Sequence, residues 1–309
     1  MFHALKRHLI RPNRNKERKI KIDDITLTVD PLDEGGMAYD CRQSFEERQN
    51  PFYADLANTL NPTVAVDIGA NYGFTALVVK AWLPNAKQIL VEPDVRVGRF
   101  LKANIGSQDP ESVAIILAAC GERDENTSTF SINPTCSQDN RIQGETGWTK
   151  TEVPMVTLDS LLKNCDNERV YIKVDTQGFE PQVFEGAINY LNSSNQWLIK
   201  AEFAPHWLAS QGNDATEFLL RLIRQYRVVE APGRTRYMHD TIRSMFRHPL
   251  PESGATNFCE YAAKLNRDSL GWVDIYVAPQ KFTSWLDDSR QDDQSIHEPV
   301  NSRSEKGRE

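Results

Sequence analysis

The chain has 309 residues, 39% of them hydrophobic, and a formal net charge of −7 at pH 7. That length supports one large or two small domains with a sizeable core, and the acidic balance argues against nucleic acid as a partner. No apolar run reaches the roughly 18 residues of a membrane span, and the five cysteines, Cys41, Cys120, Cys136, Cys165 and Cys259, lack C-x-x-C spacing. They read as reduced thiols of a cytoplasmic protein, with no disulfide frame and no metal site.

Residues 1–21 hold eight Lys and Arg, with Met1, Phe2, Leu5, Leu9 and Ile10 between them. Residues 1–44 read as a basic extension with short strands, suited to weak peripheral contact with anionic lipid. Residues 20–29 alternate like a strand with a turn at Asp23-Asp24, and Gly35-Gly36 breaks the pattern. Asn50-Pro51 starts a helix over residues 52–60.

The next stretch, V-A-V-D-I-G-A-N-Y-G-F-T-A from Val64, organises the rest. Val64-Ala65-Val66 is a buried-strand run, Asp67 to Gly73 a tight glycine turn, and Phe74–Trp82 a helix. Strand, glycine turn and helix open a nucleotide-binding α/β unit. The spacing, however, is G-x-x-x-G, and Asp67 stands just ahead of the first glycine. A carboxylate there repels a pyrophosphate and attracts an ammonium or sulfonium. S-adenosylmethionine (SAM) carries both cations and no phosphate. The second strand, residues 88–91, ends in Glu92-Pro93-Asp94, where an acid can accept hydrogen bonds from both ribose hydroxyls. NAD sites use the same device, so Glu92 alone leaves both ligands open.

A helix over residues 95–104 and a third apolar run over 112–117 follow. The run ends in Ala118-Ala119-Cys120-Gly121, small residues that leave room for a flat adenine at the strand ends. Residues 127–132 and 153–156 read as strands, 134–147 as a polar mobile loop, and Thr157 as a helix N-cap. The strand 169–174 ends in K-V-D-T-Q-G-F-E, with Asp175 placed like Asp67, and a helix is expected over 180–191. Trp197–Phe203 is the next strand, which brings Glu202 and His206 toward the same edge. A helix (215–226), a strand (227–231), a long mixed insertion (233–271) with a helix at 258–266, and a last strand (272–278) complete the pattern. Residues 281–309 are polar and read as a disordered tail.

Together, V-D-I-G-A-N-Y-G-F-T, V-E-P-D, V-T-L-D-S-L-L and K-V-D-T-Q-G-F-E resemble the FkbM-type SAM-dependent methyltransferases, over roughly residues 45–204. Gln177 departs from the Glu most often found there, which puts a metal role at that position in doubt. The resemblance implies the α/β class I methyltransferase fold: a Rossmann-like three-layer sandwich on a seven-stranded, mostly parallel sheet with a reversed last strand, here over residues 45–280. It implies methyl transfer from SAM to a hydroxyl oxygen. Residue by residue, Asp67, Gly69, Ala70, Asn71 and Gly73 would hold the methionine portion, Glu92 with Pro93 the ribose, and Ala119 the adenine. Asp175 would lie near the methyl, with Gly178 and Glu180 shaping that pocket.

The transfer needs alignment and a base for the hydroxyl proton. His206 has a suitable unperturbed pKa and Asp175 is the alternative, with Glu202 a further catalytic candidate that could face the site. Asn140, Arg141, Trp148, His206, Trp207, Arg234, Arg236, Tyr237 and His239 lie on segments able to cover the methyl. Aromatic rings beside polar groups suit a glycan or sugar-bearing metabolite, and the arginines an anionic one. The rival readings are an NAD-dependent oxidoreductase or epimerase and a non-catalytic SAM-binding module.

Overall fold

The computed structural model describes residues 17–41, 44, 47–106, 112–231, 241–265 and 270–282. The basic stretch 1–16 with its expected lipid contact, the polar stretch 283–309, and Arg234, Arg236, Tyr237 and His239 lie outside the described residues.

Strands β1 (Arg18–Ile22) and β2 (Ile25–Val29) form an antiparallel hairpin that turns at Asp23, at φ 55°. The short helix α1 (Glu34–Met37) follows, capped by Asp33. Gly35 and Gly36 were expected to break the pattern but sit inside this turn. A Cβ on Gly35 would lie 2.8 Å from the Gln138 nitrogen, and one on Gly36 2.9 Å from the Tyr72 ring, so close packing explains both. Helix α2 (Pro51–Thr59) starts as expected, with Asn50 as N-cap and Pro51 in the first turn.

The central unit then alternates: β3 (Val64–Ile68), α3 (Phe74–Trp82), β4 (Lys87–Val91), α4 (Val95–Ile105), β5 (Val113–Ile116). Strands β6 (Ala119–Cys120), β7 (Glu125–Ile132) and β8 (Thr149–Val156) form a separate sheet in the order β6-β8-β7. Next come α5 (Leu158–Leu161), capped by Thr157, then β9 (Val170–Val174), α6 (Glu180–Glu185) and α7 (Ile188–Ser193). Strand β10 (Trp197–Phe203), α8 (Pro205–Ser210), α9 (Ala215–Gln225), β11 (Arg227–Glu230), α10 (Ile242–Met245), α11 (Ala255–Lys264) and β12 (Val273–Ala278) complete the described chain.

The seven-stranded sheet has the order β11-β12-β10-β9-β3-β4-β5. All its pairings are parallel except those of β12, which runs antiparallel to β10 and β11. This is the class I methyltransferase sheet, with its reversed last strand. The chain leaves β3 toward β4 and β5 and returns on the other side at β9. A crevice therefore opens at the carboxyl ends of β3 and β9.

Period-2 alternation gives each strand two faces. Val64, Val66, Ile172, Val174 and Ile199 bury one face with Phe184, Leu208, Phe218 and Phe258 from α6, α8, α9 and α11. Ala65, Tyr171, Leu198 and Tyr276 bury the other with Leu27, Phe52 and Val78 from β2, α2 and α3. On that second face the alternation also carries Asp67, Lys173, Lys200, Glu202 and Asp274, polar residues in otherwise apolar strands.

Four expectations need correction. The helix over 180–191 is two helices, because Gly186 packs against the end of β6, where a Cβ would overlap the Gly121 carbonyl oxygen. The loop 134–147 is tied down: Ser137 and Arg141 are buried, Ser137 N donates to Asp33 Oδ1 (2.7 Å), and Asn140 Nδ2 donates to Asp94 Oδ2 (2.9 Å). The described part of the 233–271 insertion does not cover the crevice. Ile242 N donates to Asp55 Oδ2 on α2 (2.5 Å), and α11 packs into the core on the opposite face. The polar tail begins after Phe282, not at Lys281: Phe282 is 0% exposed and its ring meets that of Phe246, with centroids 5.1 Å apart.

Candidate active site

A cavity of about 480 Å³ occupies the crevice, within the range of small-molecule sites. Its floor is the glycine turn. Gly69 has φ 81°, and a Cβ there would overlap the Asp175 carbonyl oxygen, so the two loops meet only because that side chain is absent. Asn71 follows at φ 48°, a conformation that Asn tolerates. Gly69 N and Ala70 N both donate to Val91 O (3.0 Å each), which anchors the turn to β4.

Glu92 sits at the end of β4. Its Oε2 accepts from Asn71 N (2.8 Å) and its Oε1 from Asp94 N (2.8 Å). It is buried, and burial pushes its carboxyl up to about 7 against those two amide bonds. Capping of α4 falls to Asp94, which accepts from Arg96 N (2.8 Å). Gly69, Ala70, Asn71, Glu92, Pro93 and Ala119 all line the cavity.

Asp67 and Gly73 do not line it. Gly73 begins α3 and faces Leu101. Asp67 is buried beside β9, with Oδ1 3.4 Å from Lys173 Nζ, and neither of its oxygens takes a hydrogen bond among the described residues. Burial raises its pKa, with Lys173 opposing. Lys173 lines the cavity and also reaches Asp175 Oδ2 (3.2 Å). Burial acts to lower the Lys173 pKa, but Asp175 and Asp67 outweigh it and hold the ammonium charged. Asp67 thus reaches the site through a lysine.

Asp175 lines the cavity and is no helix cap. The loop ahead of α6 is closed instead by buried Glu180, which accepts from Thr176 N (2.8 Å) and Oγ1 (2.9 Å). Burial pushes the Glu180 carboxyl up to about 7. Asp175 Oδ1 accepts from Gln177 Nε2 (3.0 Å), and the same nitrogen donates to Glu202 Oε2 (3.2 Å). Glu202 lines the cavity, opposite Asp274 in the β10–β12 register. Lys200 bridges Glu47 (3.3 Å) and Asp274 (3.1 Å), and Trp272, 49% exposed, stands at the rim.

The structure leaves His206 outside this assembly. It does not line the cavity, its ring lies tilted at 45° against Trp207 with centroids 4.4 Å apart, and burial lowers its pKa. Arg141 does line the cavity, but its guanidinium lies between the rings of Trp148 (4.5 Å) and Trp207 (4.2 Å) and pairs with Glu145 (2.9 Å). Those two tryptophans hold Arg141 and do not line the cavity themselves. Tyr39, Glu47, Lys173, Lys200, Trp272 and Asp274 are lining residues that the sequence reading missed. V-Y-I-K-V and W-L-I-K-A-E-F did carry a signal for the two lysines, since a charge inside a buried strand needs a partner. Among the described residues no group of three or more His, Cys, Asp or Glu is arranged to hold a metal ion, and no helix is long and apolar enough to cross a membrane.

Residues 67–229, just over half the chain, match the family model of the methyltransferase FkbM domain. The chain belongs to the FkbM methyltransferase family. Methyl transfer is the chemistry of that family, and family membership makes SAM the chain's cofactor. An NAD-dependent oxidoreductase is thereby set aside. No protein with a curated description matches the chain. Among solved structures, an FkbM methyltransferase from Methylobacillus flagellatus is 14% identical at a TM-score of 0.41, over 70% of this chain and 44% of that one. This chain therefore spans less than half the length of that relative. A precorrin-6y C5,15-methyltransferase from Geobacter metallireducens is 13% identical at 0.39, over 84% of this chain and 98% of that one. The O-methyltransferase TomG from Streptomyces achromogenes, solved with SAM, is 10% identical at 0.38, over 75% and 78%. At these scores none of the three speaks to activity.

Proposed function

We propose that this FkbM methyltransferase moves a methyl group from SAM to a hydroxyl oxygen of an uncharged, sugar-bearing acceptor. The observation that carries this reading is the composition of the cavity beyond Asp175. Glu47, Glu202, Asp274 and Trp272 line that end, and its two lysines are already paired with Asp175, Glu47 and Asp274. Carboxylates accept hydrogen bonds from hydroxyls, an exposed indole offers a stacking face to a sugar ring, and among the described residues neither cavity lysine is left uncommitted for a phosphate. This narrows the earlier expectation, in which the arginines left room for an anionic glycan.

The cofactor site fits the donor set. Glu92, fixed by two amides, would take the ribose hydroxyls with its remaining lone pairs. The Gly69–Asn71 backbone and Asp175 would hold the amino acid portion, with Asp67 acting through Lys173. Ala119 leaves space for the adenine. SAM supplies a methyl on sulfonium, so the C–S bond breaks as the C–O bond forms and a neutral thioether leaves. The chain aligns the acceptor and removes its proton. Both oxygens of Asp175 already meet donors, Lys173 and Gln177. Glu202 has one oxygen that meets no donor among the described residues, and burial followed by Asp175, Glu180 and Asp274 raises its proton affinity. We assign it as the base.

The test is a screen with methyl-labelled SAM against free oligosaccharides, sugar nucleotides, polyketide alcohols and catechols. Label should enter neutral sugar hydroxyls. Label entering only sugar nucleotides, or only catechols, overturns the acceptor class. Binding of SAM with no transfer to any acceptor favours a binding module.

A further inference from the structure

Gln177 sits at a position that the proposed chemistry does not yet explain. It adopts φ 55°, a left-handed conformation that costs a non-glycine residue energy unless the surroundings hold it. Gly178 follows at φ 96°, wedged against α8, where a Cβ would overlap the Trp207 carbonyl oxygen. The turn therefore has little freedom, and it aims one side chain between two strands. The Gln177 amide nitrogen lies 3.0 Å from Asp175 Oδ1 beside β9 and 3.2 Å from Glu202 Oε2 on β10. A carboxamide has two N–H donors on one nitrogen, so each carboxylate can receive its own. The opposite amide orientation would present an oxygen to two carboxylates, which is repulsive.

We infer that Gln177 is a positioning residue: its carboxamide clamps Asp175 and Glu202 together and leaves the second Glu202 oxygen to the cavity. Without the clamp, two carboxylates so close would separate or share a proton. A second cation could bridge them, but Lys173 is engaged by Asp67 and Asp175, and Lys200 by Glu47 and Asp274. Among the described residues the charged groups facing Glu202 are Lys173 on β9 and Asp175 just after it, Glu180 from α6 and Asp274 from β12, with Lys200 two residues back on its own strand. Most are acidic and disfavour the ionised form. The N–H that Gln177 donates to Glu202 favours it. The clamp thus fixes both where Glu202 points and how readily it gives up its proton.

This deepens the base assignment, on which it rests, but its test needs no acceptor. Gln177→Asn keeps an amide and a residue type at ease with positive φ, yet is one methylene too short to bridge. Gln177→Glu keeps the length and replaces the donor with a third carboxylate. Protein labelled with carbon-13 at the glutamate δ-carbon is titrated by NMR, and the Glu202 resonance is assigned by its loss in Glu202→Gln. The Glu202 midpoint should rise by about one pH unit in Gln177→Asn and by more in Gln177→Glu. SAM affinity by calorimetry should fall by no more than about tenfold, because Asp175 loses one donor but keeps its pairing with Lys173. A midpoint that stays put or falls in both variants overturns the clamp, as does a loss of SAM affinity or melting temperature without a shift. Failure of the sugar screen would leave this titration standing, so the two readings fail separately.

Discussion

Glu92 is held by two backbone amides, burial pushes its carboxyl up to about 7, and its proposed place under the ribose predicts that SAM binding depends on pH. The ionised carboxylate is the better acceptor for ribose hydroxyls. As pH falls below about 7 the site protonates, and the Kd for SAM should rise by up to about tenfold per pH unit. Calorimetry between pH 5 and 8.5 should show that slope in the parent and a flat, weaker profile in Glu92→Gln. A flat parent profile would detach Glu92 from the ribose. Glu92→Ala should cost about 1.5–3 kcal/mol of SAM binding. The base assignment makes an opposed pair of predictions. Glu202→Gln should lower kcat by roughly 10²–10⁴-fold, whereas His206→Ala, away from the cavity, should change it only a few-fold. The reverse ranking in a single-turnover assay would restore the histidine.

At the scale of elements, the last described turn matters more than its sequence suggests. Phe282 follows β12 and packs on Phe246, just after α10. Phe282→Ala should destabilise the protein by about 3–5 kcal/mol, the usual cost of emptying a buried aromatic site. Ending the chain after Phe282 should leave the melting temperature nearly unchanged, because residues 283–309 are polar and have little to bury. Equal losses from both changes, in thermal unfolding, would mean that the terminal stretch docks on the core. The helix break at Gly186 has a similar logic. Local propensity favours one helix over 180–191, but the contact with Gly121 decides otherwise, so Gly186→Ala should cost stability where helix propensity alone predicts a gain.

For the whole molecule, buried acids set the direction of the stability–pH curve. Glu92 and Glu180 both have carboxyls raised from 4.5 to about 7, burial being the main cause. A raised acid is protonated more readily in the folded state than in the unfolded one. Its contribution is fully present below pH 4.5 and is lost as pH rises through 7, roughly 3 kcal/mol per group at most. The melting temperature of the SAM-free protein should therefore fall between pH 5.5 and 8, and less steeply in Glu180→Gln. A melting temperature that climbs across that window would contradict the burial of these acids. At the proposed acceptor end the two described lysines are paired with Glu47, Asp175 and Asp274.

What the sequence determined by itself was whatever depends on neighbours along the chain. Val64 to Trp82 states strand, turn and helix in order, Asn50, Asp94 and Thr157 announce helix starts, and the run of V-D-I-G-A-N-Y-G, V-E-P-D and K-V-D-T-Q-G-F-E specifies the family and the sheet. That Glu92, Asp175 and Glu202 line one cavity was legible because each stands at a strand end, and strand ends meet at one edge of a parallel sheet. Tertiary structure decided what depends on register between strands and on approach from afar. Asp67 lies opposite Lys173 only because β3 and β9 are neighbours despite about 100 intervening residues. Tyr39 and Glu47 line the cavity from a segment with no motif of its own. His206 is three residues past a strand end, close in sequence to the site, yet the turn into α8 carries its ring onto Trp207. Sequence spacing gives the distance along the chain, whereas side-chain direction is set by the packing of elements that meet only in the fold.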